Sequence, residues 1–176
     1  YADATRFVTQ RLLLKQEKQW AADAFVTGVW GTSTTPSNLW SNYATSAPIT
    51  DVETGKRTVL LNTGFLPNTM TVGYDTHIQL INHPDILDRM SDNEMRLANN
   101  ATLARIFGVA NYYVAMAVEN TAAENETAVM AFVHGKHALL TYTAPSPGLL
   151  TPSAGYTFVW EGVSDGFGTD IGVRRG

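Results

Sequence analysis

The sequence predicts an α+β chain, on three observations. A long stretch free of glycine and proline opens it, a strand-then-helix succession occupies the middle, and alternating apolar runs broken by turns fill the second half. Composition adds a fourth point: 44% of the 176 residues are hydrophobic and 16% are charged, where an ordinary globular chain carries about 25% charge. There is apolar material for a core, so disorder is not expected. With 12 Lys+Arg against 16 Asp+Glu the net charge is −4, and a surface this thin in charge suits a subunit covered by neighbours.

Residues Ala2 to Thr27 are rich in Leu, Gln, Lys and Ala and place Phe7, Leu13, Leu14, Trp20, Ala21, Ala24 and Phe25 on one broad face, which predicts a helix. At 1.5 Å per residue it would run roughly 35 to 40 Å, more than the core of so small a domain needs. Its other face sets Arg11, Lys15 and Lys18 at i, i+4, i+7, a basic stripe partly offset by Glu17. The ordinary reading of such a stripe is a solvated helix face; it is also compatible with lining a space that holds DNA.

From Gly28 to Ala47 the Thr, Ser, Asn and Gly content marks a connecting segment, and Trp30, Trp40 and Tyr43 within it must pack on something. Pro48 to Thr63 is a second helix: Pro48 suits its first turn, Asp51 and Glu53 its N-terminal dipole, and Gly64 its stop. A turn and short strand follow over Leu66 to Gly73, then a helix over Tyr74 to Asn82 with Ile78 and Ile81 facing inward. A helical turn is expected over Asp85 to Met90, and a helix over Ala101 to Phe107 ended by Gly108. Tyr112 to Val118 reads as the central strand. Val129 to Val133 and Ala138 to Tyr142 read as a hairpin about Gly135-Lys136. Pro145, Pro147, Gly148 and Pro152 break regular structure, and two further strands, Tyr156 to Trp160 and Thr169 to Arg174, flank a glycine-rich loop. No internal repeat is present.

The chain has no cysteine, which removes disulfides, thiolate nucleophiles and Cys-ligated metal, and fits a reducing cytosol. No apolar run reaches the roughly 18 to 20 residues of a membrane span, and Tyr1-Ala2-Asp3-Ala4 does not open like a signal peptide. A start without Met and a stop at Arg174-Arg175-Gly176 suggest a piece of a longer polypeptide.

Tests for chemistry return little. Gly162-Val163-Ser164-Asp165-Gly166 matches the nucleophile-elbow pattern, but Phe167 to Gly172 cannot form the helix that the elbow needs, so a hairpin loop is expected in place of a catalytic Ser164. Gly166-Phe167-Gly168 begins a dinucleotide fingerprint without the third glycine or the helix. His134 and His137 flank the expected turn and lack further ligands nearby, which favours a surface pair over a metal site. His77 and His83 suit polar and capping roles. The acids Asp85, Asp88, Asp92, Glu94, Glu119, Glu124 and Glu126 fall in polar runs that suggest loops in water, where no carboxyl would have its pKa raised for catalysis. No P-loop, EF-hand or HExxH is present. Asn100-Ala101-Thr102 and Asn125-Glu126-Thr127 would be glycosylation sequons only in a secreted protein. Packing and assembly are what remain; no enzyme activity, cofactor or metal is expected.

Three segments in order carry a resemblance: Ala47-Pro48-Ile49-Thr50-Asp51-Val52; Thr63-Gly64-Phe65-Leu66-Pro67-Asn68-Thr69-Met70-Thr71-Val72-Gly73; and Asn82-His83-Pro84-Asp85-Ile86-Leu87-Asp88-Arg89-Met90. With Leu103-Ala104-Arg105-Ile106-Phe107-Gly108-Val109, Ala138-Leu139-Leu140, and Thr151-Pro152-Ser153-Ala154-Gly155-Tyr156-Thr157-Phe158-Val159-Trp160 downstream, the chain resembles the major capsid proteins of tailed bacteriophages, the group related to encapsulins and the herpesvirus capsid floor. The resemblance implies the Hong Kong phage capsid fold, with a long spine helix, a peripheral-domain sheet, and an axial domain of central sheet flanked by helices. Residues 1–47 would belong to the peripheral domain, 48–144 to the axial domain and 145–176 to returning peripheral strands, with the N-terminal arm and extended loop missing. It implies self-assembly into hexamers and pentamers of an icosahedral virion capsid, built in the host cytoplasm around double-stranded DNA. Portal, scaffold and decoration proteins would be further partners, with no membrane. Arg11, Lys15 and Lys18 would face the genome. An encapsulin-type nanocompartment is the alternative within the fold, and a serine hydrolase using Ser164 the remote one.

Overall fold

The computed structural model describes residues 2–26, 28–90, 98–146, 148 and 150–156. Among these residues five helices and five short strands follow one another as α1 (Ala2–Ala24), α2 (Pro48–Thr63), β1 (Thr69–Gly73), α3 (Tyr74–Ile81), α4 (Pro84–Arg89), α5 (Asn100–Phe107), β2 (Asn111–Ala115), β3 (Val118–Asn120), β4 (Met130–Phe132) and β5 (Ala138–Thr141). This is a mixed α+β arrangement with small sheets. Internal contacts divide the chain into two units, Tyr1–Tyr142 and Thr143–Gly176. In the second, the Tyr156 hydroxyl donates to the Thr151 carbonyl, and the Ala144 N–H donates to Ser153 Oγ.

In the larger unit β1 pairs parallel with β2 and antiparallel with β5, giving the order β2-β1-β5. The parallel pair needs a crossover, and α3, α4 and α5 supply it. β1 lies at the centre with Met70 and Val72 fully buried, while Tyr113 of β2 is 57% exposed. The expectation that Tyr112 to Val118 is the central strand is therefore corrected: that run is the sheet's edge, it ends at Ala115, and Val118 opens a different strand. The more modest Thr69-Met70-Thr71-Val72-Gly73 takes the centre because it has a strand on either side.

The expected hairpin of Val129–Val133 with Ala138–Tyr142 does not form either. β4 pairs antiparallel with β3, and β5 pairs with β1 in the other sheet. The chain between them, including Gly135 at φ +53°, crosses from one sheet to the other instead of turning back on itself. There it meets Gly73, whose N–H donates to the His137 carbonyl at 3.0 Å. A Cβ at position 73 would overlap the carbonyl oxygen of Gly135.

The helices start and stop where their end residues dictate. Pro48 sits in the first turn of α2, and Gly64 ends it in the left-handed region at φ +76°. Asn99 caps α5 by accepting from the Thr102 N–H at 2.8 Å, and Gly108 closes it at φ +59°. Across helices, Lys56 of α2 donates from Nζ to the carbonyls of Phe107 and Gly108, at 2.8 and 2.9 Å. A cation thus satisfies the last carbonyls of α5 and opposes the negative end of its dipole. In α3 the side chains turned fully inward are Thr76 and Leu80, whereas Ile78 and Ile81 are only half-buried. The core gathers Ile49 and Val52 of α2, Met70 and Val72 of β1, Leu80, Ile86, Leu103, Phe107, Val109 and Tyr112.

The connecting segment packs as its aromatics require. Trp40 lies against this core and donates from Nε1 to Asp51 at 2.8 Å, and the Tyr43 hydroxyl donates to Gln79 at 2.8 Å. The strands expected over Tyr156–Trp160 and Thr169–Arg174, apart from Tyr156 itself, lie outside the described residues.

The contact at Gly73 makes one expectation specific. Gly73→Ala loses about 1–3 kcal/mol through overpacking against rigid backbone, read as a lower urea midpoint at unchanged slope. Gly31→Ala, with no neighbour within 4 Å of its new Cβ, leaves the midpoint near that of the wild type.

Candidate functional site

Helix α1 differs from every other element. At 23 residues it is about 34 Å long, yet only Ala21 and Ala24 are buried. Phe7 is 56% exposed and Leu13 50%, with Val8, Leu12 and Trp20 exposed as well. The broad apolar face is thus fully buried at its C-terminal end, at Ala21 and Ala24, with Leu14 half-buried at mid-helix and most of the rest exposed. The helix also stops at Ala24 instead of Thr27, where the Trp30 indole folds back and donates to the Ala24 carbonyl at 2.6 Å.

The basic stripe is present but not uniform. Arg11 is exposed, with its guanidinium 5.1 Å from the centre of the Phe7 ring, and Lys15 is exposed. Lys18 forms an ion pair with Glu119 of β3. The rod and the β3–β4 ribbon are therefore joined by one member of the stripe, and Arg11 and Lys15 form its outward part.

The rest of the junction is aromatic. His134, following β4, is buried and packs its ring against Trp20 at 5.5 Å and against Phe25 at 5.6 Å. His137 stacks flat on Phe25 at 4.8 Å. His134 Nε2 lies 3.3 Å from Glu17 Oε1, while its Nδ1 is buried without a partner. Burial pushes the His134 pKa down; Glu17 opposes this and His137 adds to it. A surface histidine pair was expected here; His137 is indeed exposed, stacked on Phe25, whereas His134 is buried beneath the foot of α1. The sequence pattern lacked the signal because Glu17, Trp20 and Phe25 are more than 100 residues away in the chain. Among the described residues no group of three or more His, Cys, Asp or Glu is arranged to hold a metal.

A second pair looks at first like catalytic machinery. Ser46 Oγ and His83 Nε2 are 2.9 Å apart and both residues are buried. Proton bookkeeping decides its role. His83 Nδ1 accepts the Asp85 N–H as the N-cap of α4, so the proton of a neutral ring sits on Nε2 and is donated to Ser46. Ser46 Oγ in turn donates to the Asn42 carbonyl at 2.7 Å. A histidine that donates to a serine cannot take its proton. The pair is a buried polar tie between the connecting segment and α4.

His77 and Tyr112 form a similar tie, with the Tyr112 hydroxyl 3.1 Å from His77 Nδ1. Burial lowers the His77 pKa and raises that of Tyr112, which favours the uncharged form of both partners. Of the acids singled out in the sequence, Glu119 pairs with Lys18; Asp92 and Glu94, with Ser164 and its glycine-rich loop, lie outside the described residues. No described helix is long and apolar enough to cross a membrane.

Comparison with known protein families finds no match, and comparison with curated proteins finds none either. Among solved structures the chain is similar to a phage-related protein from Bordetella bronchiseptica RB50, at 24% identity and a TM-score of 0.77. The likeness covers 92% of this chain and 53% of that one, so this chain spans about half the length of its neighbour. At this identity the likeness is one of fold.

The Ser46–His83 geometry sets an outcome for labelling. A fluorophosphonate probe leaves Ser46 unmodified in intact-protein mass spectrometry, and Ser46→Ala, which strands the buried His83 N–H, loses about 1–3 kcal/mol of stability.

Proposed function

We propose that the chain is the spine-helix and axial portion of a structural shell protein of a tailed bacteriophage, one that self-assembles into an icosahedral capsid around double-stranded DNA. The observation that carries the reading is α1: a rod of 23 residues with two buried alanines and a row of exposed apolar side chains serves little purpose in a lone subunit. Burial against other subunits gives that surface a role. The low charge supports the same conclusion, since large lateral contacts between copies tolerate few unpaired charges. The shared fold with a phage-related protein supports a phage origin. Ser46–His83 supports no enzymatic reading, because its proton arrangement is the reverse of what catalysis needs.

In this reading the subunit's partners are further copies, in hexamers and pentamers, together with portal, scaffold or decoration proteins. Its place is the virion, after assembly in the host cytoplasm. An encapsulin-type nanocompartment shell shares the architecture and differs in its contents, cargo enzymes in place of a genome. Electron microscopy of the full-length gene product shows closed icosahedral particles if the shell reading holds, and monodisperse small oligomers reject it. Nuclease-protected DNA inside the particles separates the phage shell from the nanocompartment.

Genome contact follows from the outward part of the basic stripe. Because Lys18 is engaged by Glu119, reversing Arg11 and Lys15 together reduces packaged DNA per particle by non-specific phosphate repulsion, measured as the absorbance ratio of purified particles. Unchanged DNA content rejects a genome-facing stripe.

A further inference from the structure

The foot of α1 is held by unlike contacts, three of which meet at His134. Glu17 reaches His134 Nε2, Lys18 pairs with Glu119, and the Trp20 and Phe25 rings enclose the His134 imidazole. Beside them runs an open cleft of about 220 Å³ lined by Lys18, Ala22, Phe25, Glu119, Phe132 and His137. On the far side the His134–His137 segment is fixed to the core, because the Gly73 N–H donates to the His137 carbonyl and Gly73 touches Gly135. The segment cannot follow the rod if the rod moves. We propose that this junction is a proton-sensitive latch, docked while His134 is neutral and released when His134 takes a second proton.

The geometry gives the reason. In the docked state one ring nitrogen faces Glu17 and the other is buried with no acceptor. A second proton would place an N–H⁺ at Nδ1 in an apolar enclosure, where an unpaired donor is costly. The charged groups facing the ring are Glu17 from α1, which favours the proton, and His137 from its own segment, which disfavours it; burial, with His137 acting in the same direction, outweighs Glu17 and holds the pKa below 6.5. Lys18 and Glu119, across the cleft, neutralise one another.

The sign follows from linkage. A histidine whose pKa is depressed on docking binds protons more readily once released, so docking is complete above pH 6.5 and weakens as pH falls below it. For one proton the released fraction grows by at most about tenfold per pH unit, and levels off below the docked-state pKa. The proposal concerns a single subunit and does not depend on the shell reading.

The absence of cysteine makes the test direct. Spin labels at Gln10→Cys on α1 and Glu53→Cys on α2, both exposed positions, report the rod-to-core distance by pulsed electron resonance in the intact chain. In the wild-type background a second, broader distance population grows as pH falls from about 7.5 to about 5. In His134→Phe, which keeps an aromatic ring and cannot titrate, the distance stays at its neutral-pH value throughout. His137→Gln retains the response. Imidazole NMR of His134 in the unlabelled wild type must titrate over the same pH interval as the distance change, which keeps the test valid if a variant fails to fold. An invariant wild-type distance, a His134→Phe variant that responds like the wild type, or a His134 titration displaced from the distance change each overturns the latch.

Discussion

β1 has to be buried on both faces and along both edges, and the larger unit is arranged to meet that requirement. Met70 and Val72 are fully buried, and the strand's hydrogen bonds are taken up by β2 on one side and β5 on the other. A parallel neighbour cannot be reached by a tight turn, so α3, α4 and α5 are spent on the crossing. The antiparallel neighbour arrives from a distant segment, and Leu140 on it packs against the core close enough that a Cβ at Gly55 of α2 would lie 3.1 Å from it. Without the glycine at position 73, the segment leading into β5 could not approach the end of β1.

The polar groups that this packing buries are handled in two distinct ways. Within the core Ser46, His83 and the Asp85 N–H form one chain, His77 and Tyr112 a pair, and Lys56 closes the end of α5. Such ties fix which segment lies against which, since a shift by one residue would strand a buried donor. At the foot of α1 the accounting is looser, with an open cleft, an ion pair partly in solvent and a ring nitrogen without a partner. The core is specified tightly and the attachment of the rod is not.

How far the fold was legible in the sequence depends on how local the signal is. Helix ends were readable because Pro48, Gly64 and Gly108 act on their own neighbours. The centre of the sheet was misjudged because Tyr112 to Val118 is richer in apolar residues than Thr69 to Gly73, and rank in a sheet is set by flanking strands, not by composition. The hairpin about Gly135 failed for a related reason: a turn signal says where the chain bends and not which strand it then joins. For the site, the spacing of Arg11, Lys15 and Lys18 was readable, whereas the engagement of Lys18 by Glu119 rests on a contact about 100 residues apart in the chain. His134 looked like a surface residue at a turn, and only the distant ring pair of Trp20 and Phe25 makes it buried.

The contacts at the foot of α1 have a mechanical side. The contacts from Glu17, Lys18, Trp20 and the buried Ala21 and Ala24 fall in about its last two turns, and some 20 Å of helix extends beyond them with Phe7, Val8, Leu12 and Leu13 exposed. An α-helix bends little over that length, so a tilt of 10° at the foot carries the tip about 3 to 4 Å sideways, close to the spacing between neighbouring side chains. The helix acts as a pointer that magnifies small changes at its pivot.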